Sequence, residues 1–216
     1  MQKGRTMSVE GRASNGRLGG GLVTELDRPA PTEGIVSEWQ ATPKTNGYWV
    51  PWSIPVAVAG MFAYGTVATG SPPTQESFPL LPLIAAVAAV FGLHEAVHAI
   101  AIAAFGARPE FGVVRVGRSG LAMAFSATAR GHFFTRRQYL IVTAAPMVIV
   151  SLAGIPACLS PLGAYLWFPF AWHLGGCVGD AIIVWRTLRQ PAGVLVQDLD
   201  DCTRFMRRAP ANAVGR

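Results

Sequence analysis

The chain has 216 residues, 51% of them hydrophobic and only 14% charged, with a formal net charge of +6. Soluble domains carry about 25% charged residues, so this composition excludes an ordinary water-soluble globular protein. Three cysteines without a CxxC pair, two of them inside apolar runs, exclude a disulfide framework.

Residues 1–47 are rich in Gly, Arg, Thr and Ser and poor in periodic apolar residues, and they read as a disordered cytoplasmic tail. The first apolar run begins near residue 48, so no cleavable signal peptide is expected. Four runs then follow that are long enough to cross a bilayer, which takes roughly 20 residues of helix each. They cover residues 48–68, 78–105, 139–159 and 162–185 and make up a membrane domain over 48–190. Trp49, Trp52 and Trp185 near span edges suit the headgroup region.

Between the second and third runs, Glu110–Val116 and Leu121–Thr128 flank Gly117–Gly120, and Leu121, Met123 and Phe125 alternate with small or polar residues. That pattern predicts a β-hairpin. Its free edge either holds an extended peptide by main-chain hydrogen bonds or simply caps the helices. His132 reads as a solvated loop residue, and Pro146, Pro156 and Pro169 as kinks without a catalytic role. Residues 191–216 read as a cytoplasmic surface segment, with Asp198, Asp200 and Asp201 too far past the membrane edge to be ligands.

All eighteen Lys and Arg fall in three places: six before the first run, six from Arg108 to Arg137, and six from Arg186 onward. Alternate connectors thus carry all the positive charge, which four spans with both termini in the cytoplasm require. The expected fold class is therefore an all-α membrane protein of four transmembrane helices, with one small β-hairpin and a disordered N-terminal tail. The basic excess fits anionic lipid headgroups, and no nucleic-acid motif accompanies it.

Ionisable groups inside spans are costly and call for a reason. The second run contains His94-Glu95-Ala96-Val97-His98, an HExxH motif. Positions four apart share a helical face, so His94 and His98 can turn toward one ion. Glu95 lies about 100° round the helix, close enough to take a proton from a metal-bound water without being a ligand. Zinc suits this donor set, and a catalytic site needs a third protein ligand. Asp180 is the first candidate. Counting back from Arg108 and Arg186, it lies within about 6 Å of the depth of His98. His173, about 10 Å deeper than Asp180, is the alternative ligand or a second-shell residue, and Cys177 could offer a thiolate or merely pack.

An HExxH late in a membrane helix, a strand-like connector, Ala144-Ala145-Pro146, and Gly179-Asp180 in a later run together resemble the site-2 protease type of intramembrane zinc metallopeptidase. More closely, they resemble a family of short bacterial membrane proteins described as zincin peptidases. The similarity covers about Pro79 to Asp198. It implies Zn2+ held by His94, His98 and Asp180, with Glu95 as catalytic acid/base. It further implies a peptide or membrane-protein substrate cut within or beside the bilayer, and a bacterial inner-membrane location. Two other functions fit the residues: a non-catalytic membrane protein that binds zinc for structure or regulation, and a transporter whose ionisable groups line an ion path.

Overall fold

The computed structural model describes residues 35–40, 43–68, 80–116, 122–199 and 202–207, with side chains for 51–68, 80–113, 125–199 and 202–207. In chain order the elements are β1 (Ile35–Gln40), α1 (Pro43–Val67), α2 (Leu80–Ala104), β2 (Glu110–Val116), β3 (Ala122–Thr128), β4 (Phe133–Thr135), α3 (Arg136–Leu159), α4 (Gly163–Gly176), α5 (Val178–Leu188), β5 (Val194–Asp198) and β6 (Cys202–Arg207). The chain is mostly helical, with two small antiparallel sheets.

Among the described residues three helical stretches are long and apolar enough to cross a membrane: Leu80–Ala104, Arg136–Leu159 and Gly163–Leu188. The last joins α4 and α5 across Cys177, where the backbone leaves ideal helix for one residue. α1 is the remaining long helix; it starts at Pro43, inside the segment expected to be tail.

The helices pack at small residues. A Cβ on Gly175 of α4 would lie 2.8 Å from the Ser53 carbonyl oxygen and 2.9 Å from Ala57 Cβ of α1, so only glycine allows that approach. Tyr64, Val90, Val97, Val150 and Phe170 form one buried core between α1, α2, α3 and α4. Tyr64 also donates to the Ser151 carbonyl at 2.7 Å, tying α1 to α3. At the start of α3, Thr135 and Gln138 form a capping box that satisfies the first free N–H groups of the helix.

The expected hairpin is present as β2 and β3, paired from Glu110↔Thr128 to Val116↔Ala122; its turn at 117–120 lies outside the described residues. A second sheet, of order β1-β6-β5-β4, corrects the all-α expectation. It also draws strands from two segments outside the expected membrane domain. Residues 35–40 of the expected tail pair with β6, and the expected surface segment after 191 supplies β5 and β6. The physical reason is that β1 and β4 find their partners far away in sequence, and the short β5–β6 hairpin is placed in a sheet only through them. Phe134, Val194, Val196 and Phe205 of this sheet pack with Ile102, Tyr139 and Val142 in a second core, which seats the sheet at one end of the helices. The expected tail over 1–34, the connector at 70–76, and Asp200 and Asp201 lie outside the described residues.

Candidate metal centre

The buried residues of α2 include Val90, His94 and Val97, so the motif histidines turn inward with the core face of the helix. The His94 and His98 rings meet edge to face with centroids 4.8 Å apart. Asp180, in the first turn of α5, reaches the same point from across the bundle. Its Oδ2 lies 3.2 Å from His94 Nε2, and its Oδ1 lies 3.7 Å from His98 Nε2. The three side chains are largely buried, with 9%, 12% and 16% of their surface exposed. Among the described residues they form one of two groups whose ligand atoms lie within 4.8 Å of one another and could hold a metal ion.

These residues fit zinc on the structure's own terms. His98 Nδ1 lies 2.9 Å from the Val142 carbonyl oxygen, which can only accept, so Nδ1 carries the proton. A neutral His98 ring therefore presents a lone pair at Nε2 toward a carboxylate oxygen. Two acceptors facing each other in a buried site need a proton or a metal ion between them, and this donor set suits a metal. Asp180 Oδ2 is buried without a hydrogen-bond partner despite its closeness to His94. Ligand atoms each about 2.0–2.1 Å from a tetrahedral zinc stand about 3.3 Å apart, close to the 3.2 Å seen here.

Glu95 lies on the same side of the helix, its Oε1 3.9 Å from His94 Nε2. The Ala127 backbone of β3 hydrogen-bonds its carboxylate, while Oε2 is buried without a hydrogen-bond partner. All four side chains border one cavity of about 770 Å³. Its apolar wall comes from residues such as Ile84 and Val87 of α2 and Phe168 and Trp172 of α4, and β3 lines it with Phe125–Thr128. Ile84 and Trp172 are also half exposed on the outer surface of the bundle.

The second group, His94, His173 and Cys177, is fully buried and shares His94. Here His94 Nδ1 and His173 Nε2 are 2.9 Å apart, a hydrogen-bond distance shorter than two ligands of one zinc would keep. Cys177 Sγ lies 3.4 Å from the same nitrogen of His173.

Sequence reasoning overlooked a polar cluster at the end of the cavity nearest the four-stranded sheet. Tyr139 donates to Asp198 Oδ1 at 3.0 Å and lies 3.3 Å from Thr203 Oγ1, and all three residues line the cavity. Asp198, which belongs to neither metal group among the described residues, borders the site. The one advance signal is a tyrosine, Tyr139, at the start of the third apolar run. His132 packs edge to face on Phe134 at 4.5 Å, and its partial burial lowers its pKa below the usual histidine value.

No curated protein and no solved structure matches the chain. A family model does, over residues 87–195, a stretch that contains the HExxH residues, β3 and Asp180. Matched over half its length, the chain belongs to the family described as "putative zincin peptidase".

Proposed function

We propose that the protein is a membrane-embedded zinc metallopeptidase that hydrolyses peptide bonds of a membrane protein or membrane-bound peptide. His94, His98 and Asp180 would hold the metal, and Glu95 would be the catalytic acid/base. The observation that carries this reading is the buried, unpartnered Oε2 of Glu95 beside three converging ligand atoms in one cavity. A structural zinc site gains nothing from a spare carboxylate, whose burial is costly.

Bound zinc supplies Lewis-acid activation of water and of the scissile carbonyl. The rest is done by the chain. Glu95 takes a proton from the attacking water and returns it to the leaving amine, as a general base and then a general acid. The apolar walls from α2 and α4 exclude bulk water and receive an apolar segment. The edge of β3 suits an extended substrate, because a helical amide is shielded by its own hydrogen bonds and must unwind before attack. In this reading α1 is a fourth span, both termini face the cytoplasm, and the membrane is the bacterial inner membrane.

Glu95→Gln tests the reading. Cleavage of membrane peptides by the purified chain falls by about 10²–10⁴-fold, while bound zinc stays at the wild-type level. Full turnover in that variant would remove Glu95 from the mechanism. A wild-type chain that holds zinc but cleaves nothing is the structural-zinc alternative.

A further inference from the structure

We propose that both metal-binding imidazoles are held in one tautomer by buried hydrogen-bond acceptors, the Val142 carbonyl left free by Pro146 and the Nε2 of His173. Pro146 and His173 thereby become positioning residues. The proposal rests on the metal-binding part of the reading above and is independent of turnover.

In an α-helix the carbonyl of residue i accepts from the N–H of residue i+4. The helical partner of Val142 in α3 is therefore residue 146, a fully buried proline without an N–H. An orphaned carbonyl inside a membrane bundle needs another donor. His98 supplies it from α2, at 2.9 Å through Nδ1. The kink residue thus has a use that the sequence did not suggest. It exposes one main-chain acceptor at the place that forces the His98 proton onto Nδ1 and leaves Nε2 open toward Asp180.

His94 meets a side chain instead. Its Nδ1 and His173 Nε2 are 2.9 Å apart, so one of them carries the shared proton. If His173 donated, the neutral His94 ring would have its own proton on Nε2, the atom 3.2 Å from Asp180, and could not bind a metal. The metal-competent arrangement therefore has His94 donating and His173 accepting. The remaining His173 proton then sits on Nδ1; Cys177 Sγ lies beside both ring nitrogens, 3.8 Å from Nδ1 and 3.4 Å from Nε2. In this account the His94–His173 pair of the second potential metal group serves the first as a hydrogen bond.

Partners of this kind commonly change metal affinity by about 10–100-fold. The test uses the full chain in detergent and measures zinc affinity by competition with a chromophoric chelator. Pro146→Ala restores an N–H that competes for the Val142 carbonyl while removing a helix interruption. Zinc binding is expected to weaken about 10-fold with helical content retained. His173→Leu removes the acceptor and is expected to weaken binding by about 10–100-fold. His173→Gln keeps an acceptor oxygen and is expected to stay within about threefold of wild type. A readout without any variant comes from ¹⁵N-labelling the four histidines. In the zinc-loaded wild type, His94 and His98 show protonated Nδ1. Affinities of Pro146→Ala and His173→Leu both within about twofold of wild type would overturn the proposal and leave the metallopeptidase reading standing. So would an unprotonated His94 Nδ1, or a His173→Gln chain as weak as His173→Leu. A wild-type chain that takes up no zinc would overturn both.

Discussion

Within the site, the decisive feature is that a carboxylate and two imidazole nitrogens converge in one buried place, Asp180 lying 3.2 Å from His94 Nε2 and 3.7 Å from His98 Nε2. Asp180→Asn tests this directly. An amide in that place can donate to an imidazole nitrogen, so the metal-free protein is expected to melt no lower than wild type while zinc affinity falls at least ~100-fold. Calorimetry and metal titration on the same preparation check both halves. The polar cluster beside the site behaves differently. Tyr139→Phe deletes the hydroxyl shared with Asp198 and Thr203 and is expected to cost about 1–3 kcal/mol, read from the denaturation midpoint, with zinc stoichiometry unchanged. These two groups also differ in legibility. His94, Glu95 and His98 stand out because a helix brings positions four apart together, while depth made Asp180 the first candidate and left His173 as the alternative. The Tyr139 partners are 59 and 64 residues away, in a sheet that no local pattern announced.

Helices and strands were read with unequal success for a related reason. An apolar helix satisfies its own backbone, so the length of the run is enough to reveal it. β1 satisfies its backbone on β6, from Ile35↔Met206 to Gln40↔Cys202, and the sequence between them carries the whole bundle. The prolines were legible as kinks but not as devices, because the use of a freed carbonyl depends on which neighbour lies opposite. Helix contacts at glycine give a paired prediction. Gly175→Ala places a methyl against backbone of α1 that cannot yield without moving the helix, and it should destabilise by about 1–3 kcal/mol. Gly92→Ala in α2 meets nothing within 4 Å and should be neutral or stabilise by up to about 1 kcal/mol. Thermal melts in one detergent compare the two. Equal losses would mean that the close packing of α1 on α4 is not what holds that part of the bundle.

Across the whole molecule, a metal at this point would join α2 to α5, two elements separated by the hairpin, α3 and α4 in sequence. Ligands that bind only the folded state stabilise it by mass action, about 2.7 kcal/mol at a hundredfold excess over Kd. Chelation is therefore expected to lower the melting temperature of the wild type and of Glu95→Gln alike, and to leave Asp180→Ala unmoved. The most direct test of the account is the zinc content of the purified full-length chain, wild type beside Asp180→Ala. One zinc per wild-type chain, reduced to a trace in the variant, is the predicted result. No stoichiometric metal in the wild type, or zinc retained in full after Asp180 is removed, would contradict it.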